Sequence, residues 1–228
     1  MCAASSAQTK YDFQQFGKET GRFFTMPGRW DAMDWGTLGL LSGLAGVAMV
    51  GELPARDIKF IDRSFYYSPP AEGGRMYGEL YTPVIIFSGY AAYSLITGDH
   101  TARKIGYEIG QASLYAGAIV YLMKTIIGRA RPMANEGKFS FHFLSGLFDD
   151  VHHSFPSGHN TVAFTLSTVL SMNAKPTWLK ILAYVPAFFT PFAIAFKIPA
   201  CKATISLARS LAEFFCGCSF AYQSASSA

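Results

Sequence analysis

The chain has 228 residues, half of them apolar and 15% charged, with a formal net charge of +4 and a mean hydropathy of +0.21. A soluble domain usually carries about 25% charged residues. The modest basic excess is scattered, with no basic run or aromatic-interleaved patch, so nothing points to nucleic acid and no such partner is expected.

The missing charges are concentrated in blocks. The first 34 residues come before any of them and are polar with interleaved aromatics. They lack a basic stretch followed by an apolar core, so no cleavable signal peptide is expected. Phe13, Phe16 and Phe23 recur near helical spacing. They fit an amphipathic helix lying on a membrane surface or an ordinary packed N-terminal helix.

Trp35 to Gly51, Leu80 to Gly98, Ile109 to Met123, Asn160 to Ala174 and Ile181 to Phe196 contain no Asp, Glu, Lys or Arg. A bilayer span needs about 17–25 mostly apolar residues. Two blocks reach that length, and the others approach it with their polar ends. The pattern predicts an all-α, polytopic membrane bundle of five or six spans; a very apolar soluble bundle is the alternative. In the first block, Gly39, Gly43 and Gly46 predict close helix packing.

The stretch from Glu52 to Tyr81 reads as a long polar loop, with Pro69-Pro70 and Gly73-Gly74 as breakers. Tyr66, Tyr67 and Tyr77 in it are expected at the membrane interface. A short "DHTARKIGYE" link and a second long loop from Gly128 to Pro156 follow, and "KPTWLK" leads to the last block. With alternating spans, one side carries 11 Lys and Arg and the other 8. That excess does not fix orientation.

Chemistry gathers at two points. Lys124 and Arg131 are seven residues apart, which predicts two cations on one helical face, with Pro132 ending the helix. Snorkelling toward lipid headgroups is the competing reading for that pair. It is the preferred one for Arg129, whose removal is expected to change little. Farther on, "HHSFPSGHN" places Ser157 as an N-cap, Gly158 where an anion can approach, and His159 in the first turn of a helix. Cations, backbone donors, a hydroxyl and an imidazole on one membrane face fit a phosphate.

Lys-x6-Arg-Pro from Lys124 to Pro132, followed by Pro-Ser-Gly-His from Pro156 to His159, resembles the first two motifs of the type-2 phosphatidic acid phosphatase family, whose fold is shared with vanadium-dependent haloperoxidases. The resemblance spans roughly residues 80 to 196. It implies that Lys124, Arg131, Ser157 and Gly158 bind the substrate's phosphate and that His159 is the general acid. It also implies a phosphohistidine intermediate with no metal or cofactor. His142, Asp149, Asp150, His152 and His153 lack a recognised ligand spacing, so no metal is expected. The implied partners are a phosphorylated amphiphile and the lipid bilayer; oligomeric state is not set.

The family's third motif, Ser-Arg-x5-His-x3-Asp, is absent. His159 is the last histidine, no aspartate follows Asp150, and Arg209 is the sole arginine after Arg131. A cradle and an acid are present without the nucleophile, so the chain is expected to be an impaired phosphatase or a non-catalytic lipid-phosphate binder. Its expected organisation is a polar segment at 1–34, a multi-pass membrane domain at 35–198 and an atypical tail at 199–228. The tail holds three of the four cysteines, Cys201, Cys216 and Cys218. The change in character near Pro191 raises the expectation of a frame change or truncation, which the gene's other two reading frames test.

Overall fold

A computed structural model describes residues 11–50, 68–130, 140–144 and 150–197. The described elements are helical: α1 (Phe13–Thr25), α2 (Ala32–Val50), α3 (Pro69–Tyr77), α4 (Tyr81–Thr97), α5 (His100–Ile127), α6 (Gly158–Asn173), α7 (Thr177–Leu182) and α8 (Val185–Lys197), with short 3-10 turns at Met26–Arg29 and Asp150–His152. The all-α expectation holds. Each charge-free block falls on helix, but no single described helix is long and apolar enough to cross a membrane. The pair α3 and α4, bent by 72°, has the length and composition when taken together.

The centre of the bundle is α6. Every residue from Asn160 to Val169 is buried, so all faces of its first turns are covered. On one side Leu166 and Val169 pack against Ile109 and Ala112 of α5. On the other, Ala163 and Phe164 pack against Ala187 of α8. Tyr77 contributes to both clusters, and its hydroxyl lies 2.9 Å from Ser167 Oγ. Tyr77, partly buried, thus packs on the bundle centre; Tyr66 and Tyr67 lie outside the described residues.

The presumed breakers in the first loop turn out to build α3. Pro69 and Pro70 occupy its first turn, where a missing N–H costs nothing and a fixed φ favours helix. A Cβ added to Gly74 would stand 3.1 Å from Ala193 Cβ and from the Phe189 backbone. Thr190 Oγ1 donates to the Gly74 carbonyl at 2.9 Å in the same contact. Among the described residues nothing lies within 4 Å of a Cβ added to Gly39 or Gly43; close helix approaches fall instead at Gly74, Gly78, Gly106 and Gly110.

A Cβ on Gly78 would lie 2.6 Å from Thr190 Cγ2 and 2.8 Å from the His159 carbonyl. Its own φ of −85° is open to any residue, so the demand is steric. Gly78→Ala is expected to lower stability by about 1–3 kcal/mol through overpacking. Gly73→Ala, which meets open space, should be neutral or raise stability by up to about 1 kcal/mol through helix propensity. Thermal unfolding of both variants in detergent checks the contrast, and equal melting shifts would contradict it.

Two further boundaries differ from the sequence reading. The "DHTARKIGYE" link is mostly helix: Asp99 caps α5, accepting from the Thr101 N–H at 2.8 Å, and Gly98 turns the chain with φ 70°. The last block is broken at Ala183 and Tyr184 into α7 and α8.

At the N-terminus, α1 lies along α5. Phe23 stacks on Tyr115 with ring centroids 4.6 Å apart, and Phe16 approaches the same ring. Phe13 is 95% exposed, so two of the three phenylalanines pack. The buried Glu19 carboxylate accepts from Gln15, Tyr107 and Gln111 at 2.7–2.8 Å. Burying a carboxylate without such partners would be costly.

Candidate phosphate site at the start of helix α6

The last turn of α5 positions the first group. Gly128, with φ 54°, donates its N–H to the Lys124 carbonyl at 2.9 Å and ends the helix. The stop therefore comes at Gly128, four residues before Pro132, because glycine takes the left-handed cap at little cost. The chain leaves the helix before Arg131, so helical periodicity does not place Arg131 with Lys124. Arg131 itself lies outside the described residues.

Beyond the cap, residues 128–130 run beside 140–142. His142 N–H donates to the Gly128 carbonyl at 2.8 Å, Ala130 N–H to Ser140 at 3.0 Å, and Arg129 and Phe141 form an antiparallel bridge. Ser154 N–H then donates to the Arg129 carbonyl at 3.1 Å. That bond fastens the approach to α6 against the end of α5. It also corrects the snorkelling reading, since Arg129 is 6% exposed. Its replacement removes a buried, engaged cation, so it is no neutral control.

Ser157 caps α6, its Oγ accepting from the Asn160 N–H at 3.5 Å, and its carbonyl accepts from the Thr161 N–H and hydroxyl. The first N–H groups of a helix have no partner within it. Lys124 Nζ stands 3.6 Å from where a Cβ of Gly158 would be. An ammonium and the positive end of a helix thus face the same small space, an arrangement that favours an anion.

His159 follows in the first turn, partly exposed, with Nε2 3.4 Å from Glu79 Oε1. Glu79 accepts from Arg75 Nη1 at 2.5 Å, and Arg75 also reaches Glu72 Oε1 at 2.6 Å. Glu79 lies in the bend between α3 and α4, and its carboxylate meets the first turn of α6. Sequence reading missed Glu79 and Arg75. The available signal was the spacing of Glu72, Arg75 and Glu79, three and four apart as on one helical face.

The structure thus brings Lys124, Ser157, Gly158 and His159 to one end of the bundle. The loop histidines contact other rings: His152 meets His142 at 4.4 Å and His153 meets Tyr121 at 6.2 Å. Among the described residues no group of three or more His, Cys, Asp or Glu is placed to hold a metal ion.

Residues 108–200, which contain Lys124, Ser157, Gly158 and His159, match the family model of the PAP2 superfamily. Through that region, about two fifths of its length, the chain resembles the PAP2 superfamily. It is also 34% identical over 91 residues to a lipid A 1-phosphatase of Rhizobium johnstonii. The match covers 36% of this chain and 36% of the relative, so the chain spans about a third of that protein's length. No solved structure matches it. Arg75, Glu79 and all of α1 to α4 lie outside the family match.

Proposed function

We propose that this chain is a multi-pass membrane protein of the lipid-phosphate phosphatase type, with turnover impaired by the missing nucleophile. The observation that carries the reading is Lys124 Nζ beside Gly158 at the start of α6, one residue from His159. The substrate class is a phosphate monoester or diphosphate on an amphiphile. The lipid A 1-phosphatase likeness supports a lipid-borne phosphate. The five charge-free blocks support a membrane setting of five or six spans, with the phosphate site at one end.

In this reading Lys124, Arg131, Ser157 and the Gly158 N–H hold the phosphate oxygens. His159 gives a proton to the leaving oxygen, and Glu79, itself held by Arg75, orients the imidazole. No cofactor takes part. The alternative role, binding a phosphorylated lipid without turnover, is favoured by the absence of any histidine after His159.

Orthovanadate or phosphate binding to the purified chain tests the cradle. Lys124→Ala and Arg131→Ala should each weaken the anion by about 1.5–3 kcal/mol, the scale of a hydrogen bond to a charged group. Lys175→Ala, just past the far end of α6, should have no effect. Equal losses in all three variants would mean general surface charge and would reject a built site.

A further inference from the structure

Between α1, α4 and α5 lies a cavity of about 830 Å³. Its walls are Val84, Phe87 and Leu95 of α4 and Leu114 of α5, with Phe13 and Phe16 of α1 also in the lining. Of the polar side chains along it, Tyr107 and Gln111 donate to Glu19 and Asp12 caps α1, while Arg103, Ser94 and Ser113 also reach the lining. Most of its lining is nonetheless hydrocarbon, which suits an alkyl chain.

Two features tie the cavity to the phosphate site. The first is register on α5. Gly110, Gly117 and Lys124 are seven residues apart, so the lining face continues to the ammonium about 10 Å beyond Gly117. The second is direction. The α4 wall begins at Leu80, next to the Glu79 that meets His159, and Val162 of α6 joins the lining one turn from His159. From Leu80 to Leu95 that wall is roughly 22 Å long. The helices touch at Gly106 and Gly110, where added Cβ atoms would meet Tyr90 at 3.1 Å and Phe87 at 3.0 Å. At Gly117 they have parted, and an added Cβ meets nothing within 4 Å.

We infer that this cavity seats the alkyl chain of the amphiphile whose phosphate sits at Lys124, and that Gly117 keeps the passage between them open. The assignment rests on the lipid-phosphate reading above. It also gives the site a specificity element built largely outside the family-matched region, since α1 and α4 supply most of the wall.

The experiment measures binding of n-alkyl phosphates from butyl to decyl, with inorganic phosphate as the zero-length member, to the purified full chain. The parent chain should gain about two- to fourfold in affinity per methylene, the scale of hydrocarbon burial. Gly117→Phe should keep inorganic phosphate within twofold but reduce the gain over the whole series to less than about fivefold. Gly117→Ala should retain the chain-length dependence, and Gly117→Leu replaces the phenylalanine variant if that one melts early. A full chain-length gain in Gly117→Phe and Gly117→Leu, or none in the parent chain, overturns the inference while leaving phosphate binding intact. Loss of inorganic phosphate binding in the parent chain instead rejects the underlying reading and the inference with it. Equal binding of n-alkanols of the same lengths, also blocked by Gly117→Phe, would make the cavity a general lipid site and overturn the assignment to the phosphorylated substrate.

Discussion

Purified in detergent and supplied with an alkyl phosphate, the chain is expected to release no phosphate above background. The mechanism implied by the family resemblance attacks phosphorus with a histidine held by an aspartate, opposite the leaving oxygen. His159 stands on the leaving-group side in that scheme, and residues 160–228 hold no histidine to take the other side. Removing a catalytic nucleophile costs on the order of 10⁶-fold, and what remains over water is about 10³–10⁴. Phosphate monoester hydrolysis is among the slowest uncatalysed reactions, accelerated by up to about 10²¹ in enzymes. An acceleration of about 10⁴ on that background yields no measurable turnover. Of the loop histidines, His152 packs on the His142 ring and His153 on the Tyr121 ring. Malachite-green detection over a day, with a phosphatase as positive control, is sufficient; steady phosphate release proportional to chain concentration would refute the expectation.

The second large effect needs an active chain. Where a Ser-Arg-x5-His-x3-Asp segment is restored downstream of Pro191 and activity appears, His159→Ala should lower turnover by about 10²–10⁴-fold, the range for general acid catalysis. Vanadate binding should fall far less, because Lys124 and the α6 N-terminus remain in place. Glu79→Gln should reduce turnover more than it changes KM, since the carboxylate meets the imidazole at 3.4 Å. Intact turnover in His159→Ala together with complete loss in His152→Ala would reverse the roles assigned within "HHSFPSGHN".

Local sequence determined much of this protein. Charge-free blocks marked where helices lie, because a helix packed in a bundle or a bilayer has few places for a charge. Ser157 was legible as the cap of α6 because capping joins residues three apart. The two phosphate-site stretches were legible as chemistry, because Lys124 ends one block and His159 begins another.

Tertiary packing decided the rest. Pro69-Pro70 reads equally as a loop or as a first helical turn, and the contact of α3 with α8 selects the turn. Gly39 and Gly74 look alike in sequence, yet a neighbour presses on Gly74 alone of the two. Arg129 carries the same charge as a snorkelling arginine, but bonds from Phe141 and Ser154 regions draw its backbone into the packed layer. Glu79 meets His159 across 80 residues of chain, and the cavity beside α5 takes walls from four helices. Helical periodicity reports interactions up to about four residues apart. Which faces meet beyond that distance is set by the packing of whole helices, and that packing brings Lys124 to Gly158.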